Sequence, residues 1–133
     1  MEFKTNKDIS QIDLLALYES VGWTSYTKDP MNLQQAVYNS TAVISAWQDN
    51  ELIGLTRGIS DCISILYIQD LLVKPEWQTR KVGTRLLTSL MNQFPNVRQT
   101  VLLTDNTKTL QSFYEQSGFK RAETSVMGYY HFK

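Results

Sequence analysis

The stretch Asp70-Leu71-Leu72-Val73-Lys74-Pro75-Glu76-Trp77-Gln78-Thr79-Arg80-Lys81-Val82-Gly83-Thr84-Arg85-Leu86-Leu87 decides how the chain is read. It ends a nearly continuous apolar run, residues 63–73, of the kind that forms a central strand covered on both faces. A short polar loop follows, interrupted by Pro75, and then the apolar period lengthens. Val82, Leu86, Leu87, Leu90, Met91 and Phe94 fall on one stripe, which predicts a helix over 82–93. At such a junction the first helical amides lack internal partners and point outward. With the helix dipole they form an anion site suited to phosphate or pyrophosphate. Gly83 lets a ligand approach the backbone, and Arg80, Lys81 and Arg85 add positive charge. Strand-to-helix turns of this kind occur throughout α/β proteins, so the junction alone does not define a function. Asp70 is the one acidic residue in the strand and stands out for that reason.

The flanks supply the other elements. Upstream, TAVISAWQ (41–48), the turn Asp49-Asn50 and ELIGLTRGIS (51–60) read as a β-hairpin of apolar and β-branched residues. Before it, residues 9–21 carry a helical stripe with Asp8 as the expected N-cap and Gly22 as the stop. A shorter helix is expected over 33–38. Downstream, Pro95-Asn96 breaks the pattern before a strand at 97–104. A helix over 107–116 stops at Ser117-Gly118, and two strands are expected at 119–123 and 126–132. The expected order is strand, two helices, three strands, helix, strand, helix, two strands. This is a mixed α/β domain around a central sheet.

Composition narrows the functional classes. The 133 residues suit one domain, 1–133, and a chain this size buries an ordinary core without metals or disulfides. Thirteen basic and thirteen acidic residues cancel, so no broad cationic field attracts nucleic acid or anionic lipid. One cysteine, Cys62, forms no internal disulfide, and one His with one Cys argues against a zinc site, so no metal is expected. No signal-peptide pattern and no run of transmembrane length is present, which makes the cytoplasm the expected location.

The spacing Gln78-Thr79-Arg80-Lys81-Val82-Gly83 resembles motif A of the GCN5-related N-acetyltransferase (GNAT) family, and residues 70–77 resemble that family's central strand and its exit. Asn106, Leu110, Phe113-Tyr114 and Gly118-Phe119 resemble its second signature, in the expected order and at similar separation. The resemblance covers nearly the whole chain. It implies a mostly antiparallel twisted sheet, splayed central parallel strands and about four flanking helices. One departure is Lys81, where the family pattern has its first glycine. If that position needs a positive φ, lysine costs about 1 kcal/mol of strain. More loosely, LYESVGW (17–23), Tyr26 and the run from Ala46 to DLLVKP resemble a branch that includes plant serotonin N-acetyltransferases, which implies an aralkylamine acceptor.

The resemblance implies acetyl-CoA as donor and a primary amine as acceptor. Gln78, Thr79, Arg80, Lys81, Val82, Gly83 and Thr84 would then hold the pyrophosphate. The edge of strand 63–73 would pair with the pantetheine arm, with an amide near Leu72 or Val73 polarising the thioester carbonyl. Asn106 and Phe113 belong to the same cofactor set. Tyr114 matches the tyrosine that protonates the leaving thiolate; read without the resemblance, it is an ordinary aromatic of an amphipathic helix. Asp70 is the candidate base, and a structural carboxylate holding the loop is the equal alternative. Trp23, Tyr26, Met31 and Tyr38 could line an apolar acceptor slot or simply pack over the sheet. The exposed-aromatic run Tyr129, Tyr130 and Phe132 could support a homodimer. Two further readings stay open: acetylation of lysine or N-terminal amines on proteins or peptides, and a non-catalytic CoA-binding domain.

Overall fold

Asp49 and Asn50 both adopt left-handed backbone, φ 50° and 67°, as a tight two-residue hairpin turn requires. They join β2 (Ala42–Gln48) to β3 (Glu51–Ser60), and this hairpin is the middle of a five-stranded sheet. With β1 (Glu2–Lys4), β4 (Ile65–Val73) and β5 (Gln99–Leu102) the spatial order is β1-β2-β3-β4-β5. The first four strands are antiparallel, and β4 and β5 run parallel. The computed structural model describes residues 1–123 and 125–133, which group into two compact units, 1–103 and 104–133.

Helices cover both faces of the sheet in the first unit. On one face α4 (Val82–Asn92) packs so closely that β3 must carry glycine beneath it. A Cβ on Gly54 would meet Leu86 Cδ1 of α4 at 3.0 Å, and one on Gly58 would meet Leu66 Cδ1 of the neighbouring β4 at 2.7 Å on the same face. On the other face α1 (Gln11–Ser20) and α3 (Pro30–Tyr38) bury Leu14, Leu17, Tyr18, Leu33 and Val37 against Val43, Leu55 and Leu72. A single turn, α2 (Thr24–Thr27), links those two helices. Sequence periodicity places α1 and α4 correctly. The first helix is capped by Ser10, whose hydroxyl accepts from the Asp13 amide, rather than by Asp8. Asp29 and Pro30 start α3 three residues before the expected Leu33.

A bulge in β4 sets the geometry of everything nearby. Arg57 lies opposite Asp70 while Gly58 lies opposite Ile68, so Gln69 is an extra residue. Leu66 packs on the α4 face, yet Leu72, six residues on, packs on the α1/α3 face. In a regular strand an even separation keeps two side chains on one face. The inserted residue reverses the alternation and turns Asp70 toward α1. The parallel pairing also stops there, its last partners being Ile68 and Leu102. Lys74 N–H bonds Ile53 O on the β3 side, while Val73 O accepts from Gln78 Nε2 on the opposite side. The backbone groups of Leu71 and Val73 therefore line an edge of β4 that β5 no longer pairs. This is the splay that the resemblance implied.

The second unit contains α5 (Lys108–Gln116), capped by the Thr107 hydroxyl and ended at Gly118 with φ 95°. The strands expected at 119–123 and 126–132 are not formed among the described residues; Thr124 lies outside them. Their apolar side chains Val126, Met127, Tyr129, Tyr130 and Phe132 are all exposed, so no buried face selects a register.

Lys81 takes the left-handed conformation, φ 61° and ψ 19°, immediately before α4. Relief of that strain predicts that Lys81→Gly raises stability by about 1 kcal/mol, measured by chemical denaturation. An unchanged or lower stability would show that the lysine side chain compensates for its backbone.

Candidate active site

Two polar constructions flank the unpaired part of β4. The first is the exit loop. Pro75–Trp77 forms one 3-10 turn, and the Gln78 side chain ties the loop back to Val73 O at 3.0 Å. Lys81 N-caps α4 through its backbone geometry and gives no side-chain cap. The amides of Val82, Gly83 and Thr84 therefore keep their hydrogens outward, as the first turn of any helix does. The positive charge is less available than the sequence suggested. Lys74 pairs with Glu51 at 2.8 Å, Arg80 lies 4.7 Å over Trp77, and Arg85 lies 4.1 Å over Phe3. Lys81 is the cation of the four that has no such partner among the described residues. An anion at this helix start would meet backbone amides first.

The second construction is buried on the α1 side. Asp70, 3% exposed, accepts from three side chains. Arg57 Nε reaches Oδ2 at 2.6 Å, Tyr18 Oη reaches Oδ2 at 2.9 Å, and Tyr26 Oη reaches Oδ1 at 2.8 Å. Arg57 also donates to Ser40 Oγ at 3.3 Å and to Tyr26 Oη at 3.3 Å. Gln69 Nε2 donates to Tyr26 Oη at 3.1 Å. The three rings Tyr18, Trp23 and Tyr26 meet edge-on or tilted, with centroids 5.1–6.2 Å apart. Burial, and then the Asp70 charge, push the Tyr18 phenol well above its ordinary range and raise Tyr26 in the same direction. Burial pulls Arg57 down, but Asp70 more than offsets it and holds the guanidinium above its usual value. At neutral pH the cluster is therefore an ion pair capped by two protonated phenols.

The carboxylate expected as a base is thus engaged on both oxygens, which fits the alternative reading of Asp70 as a holding group. The expected aromatic slot divides. Trp23 and Tyr26 join the Asp70 cluster, whereas Tyr38 and Met31 border a separate shallow groove between the outer sides of α1 and α3. Leu72 is buried, and its backbone faces β3 opposite Leu55, so of the two expected carbonyl donors Val73 has the amide on the open edge. In the second unit Tyr114 packs edge-on against Phe113 and Phe119, at 5.0 and 5.8 Å. Burial raises its phenol, and a hydrogen bond with Thr104 opposes the shift. Asn106 Oδ1 accepts from Gln111 Nε2 at 2.6 Å, and the neighbouring Thr107 caps the helix.

Sequence reasoning missed Tyr18, Arg57 and Gln69. Arg57 carried a usable signal, since it is the one charge inside an otherwise apolar strand and pairs in register with the one charge of the next. Gln69 gave none, because a bulge has no local composition that marks it. Among the described residues no three His, Cys, Asp or Glu side chains are arranged to hold a metal, and no helix is long and apolar enough to cross a membrane.

An unpaired strand edge running into a helix start with outward amides has the shape that an extended amide chain ending in an anion would fit. Comparison with known proteins gives the family. The acetyltransferase (GNAT) domain model matches residues 19–128, so the chain belongs to the GNAT family. It is an acetyl-CoA-dependent N-acetyltransferase. The N-acetyltransferase ycf52 of Pyropia yezoensis is 28% identical, over 96% of this chain and 78% of that protein. A GNAT-family acetyltransferase of Streptococcus pneumoniae superposes with TM-score 0.87 at 29% identity, covering 99% of this chain and 97% of that one. The aminoglycoside acetyltransferase AAC(6′)-Iy, solved with a bisubstrate CoA analogue, shares the fold at TM-score 0.73 and 14% identity, covering 99% and 97%.

The buried cluster predicts unequal costs for its parts. Asp70→Asn strands the Arg57 guanidinium in a low-dielectric site and should cost about 3–5 kcal/mol. Tyr18→Phe removes one donor of three and should cost about 1.5–3 kcal/mol. Denaturant titrations of both variants check this ordering, and equal small losses would show that the pair does not anchor the sheet.

Proposed function

We propose that the protein acetylates a small primary amine of the aralkylamine class by direct attack in a ternary complex. The observation that carries this reading is the pair of half-buried rings Trp23 and Tyr26, backed by the buried Tyr18 and tied through Gln69 to the β4 bulge where the open edge begins. Aromatic walls beside a reaction centre suit a ring or alkyl chain attached to the amine. Between residues 20 and 40 the one acidic side chain is Asp29, which caps α3, and this disfavours acceptors carrying several positive charges. A peptide acceptor would call for an open groove across the strand ends, and no observation favours one.

Acetyl-CoA supplies the activated thioester. The residues that fit it are the outward amides of Val82, Gly83 and Thr84 together with the Lys81 ammonium for the phosphates. The edge groups of Leu71 and Val73 suit the pantetheine amides, and Gln78 fixes the loop between the two. Val73 N–H is the donor aimed where a carbonyl oxygen acquires charge. Tyr114 is proposed to protonate the departing thiolate. What supports this is its match to the family signature and a burial that keeps the phenol protonated at working pH. Asp70 contributes indirectly, by holding Tyr26, and solvent water is the acceptor of the amine proton. Asn106 and Phe113 keep the cofactor role the resemblance implies.

Turnover assays across an amine panel, with detection of free CoA thiol, test the reading: tryptamine-like amines should outperform lysine peptides. Tyr114→Phe should lower kcat by about a hundredfold, the typical contribution of a positioned acid, with acetyl-CoA affinity retained. An unchanged kcat removes Tyr114 from the chemistry. Gly83→Val should weaken CoA binding by about tenfold or more, close to the loss of one good backbone contact. Calorimetry reads this directly, and unaltered binding would place the pyrophosphate elsewhere.

A further inference from the structure

Donor and acceptor accounting around Tyr26 leaves one polar atom aimed outward. The Asp70 carboxylate, ion-paired with Arg57, can only accept, so the Tyr26 hydroxyl hydrogen must lie on the 2.8 Å bond to it. A guanidinium can only donate, so the 3.3 Å contact from Arg57 Nη2 uses a lone pair of Tyr26 Oη. The remaining lone pair faces Gln69 at 3.1 Å and accepts only a hydrogen, so the Gln69 atom there must be its amide nitrogen. Chemistry thus fixes the orientation of a carboxamide whose two ends look alike in shape. Its oxygen, Oε1, is turned away from Tyr26 and receives no hydrogen bond among the described residues. Gln69 is exposed, is the bulge residue itself, and follows directly on Ile68, where pairing with β5 ends. The Tyr26 ring stands beside it, with Trp23 packed against that ring at a centroid distance of 6.2 Å.

We infer that Gln69 Oε1 accepts a hydrogen bond from the nitrogen of the acceptor amine and positions that nitrogen at the β4 edge. The inference rests on the proposed amine acetylation and names a specificity residue for it. A primary amine gives one N–H to Gln69 and keeps its lone pair free for attack. A neutral carboxamide suits this task better than a carboxylate. A negative charge at this point would stabilise the ammonium form and delay formation of the neutral amine that reacts. The Arg57–Asp70–Tyr26 chain acts behind it as the frame that keeps the oxygen outward.

The experiment is steady-state kinetics with the best amine that the wild-type protein turns over, melting curves confirming that each variant is folded. Gln69→Met keeps the length and removes the acceptor. It should raise the amine KM about tenfold, the effect of one lost hydrogen bond, with kcat and the acetyl-CoA KM unchanged. Gln69→Glu keeps an acceptor but charges it, and by holding the bound amine as ammonium should displace the pH profile of kcat toward higher pH. An unchanged amine KM in Gln69→Met, or equal changes in both KM values, overturns the inference while leaving amine acetylation standing. An unmoved pH profile in Gln69→Glu also overturns it. If the wild-type protein turns over no amine in the panel, both the proposed function and this inference fall.

Discussion

The ion pair between Arg57 and Asp70 is the constraint on which the rest of the site depends. It joins two charges from neighbouring central strands in a region that is otherwise apolar. Pairs of this kind are not a strong source of net stability, because desolvation consumes most of the Coulombic gain. Their consequence is selectivity among arrangements. Slipping β4 by one residue against β3 would send Asp70 to the α4 face and leave Arg57 buried without a partner. Few errors in a sheet are as costly. The pair thereby fixes the register, and with it the position of the bulge.

From the bulge the two halves of the site follow by geometry. The extra residue at Gln69 turns Asp70 toward α1, which brings Tyr18 and Tyr26 onto its oxygens and gathers the aromatic cluster. The same residue ends the pairing with β5 and exposes the edge groups of Leu71 and Val73. The aromatic cluster and the open strand edge are therefore two results of one local insertion. A regular β4 would lose both together, since its alternation would keep Asp70 and Ile68 on one face.

How much of this was legible in the sequence depended on the range of the interactions. The hairpin turn at Asp49-Asn50, the stripe of α4 and the cap at Gly118 are local, and each was read correctly from a few residues. Ser10 displaced Asp8 as a cap because the choice depends on where the chain turns, not on residue type alone. The missing strands at 119–123 and 126–132 carry the right composition, but Phe119 packs on Tyr114 of the helix and the large apolar side chains of 126–132 are exposed, which leaves nothing to choose a pairing. The site was half readable. The loop from Gln78 to Thr84 announces itself by spacing, because one backbone segment carries all of it. Arg57, Tyr18 and Gln69 come to Asp70 from 13, 52 and 1 residues away, through a register shift that no periodicity records.

The distribution of charge explains how the loop works with lysine at its usual glycine position. Formal neutrality conceals four cations near the strand exit, yet three of these are committed, Lys74 to Glu51 and the two arginines to aromatic rings. The anion site is thus made of amides whose direction is set by backbone conformation, and that conformation is left-handed at Lys81. Backbone geometry, not the absence of a side chain, is what such a loop demands. Glycine meets the demand without strain; lysine meets it at a cost of about 1 kcal/mol. By the same reasoning a chain with no excess positive charge can still offer a local site to an anion. Fixed dipoles at a helix start act at short range and need no field around the whole protein.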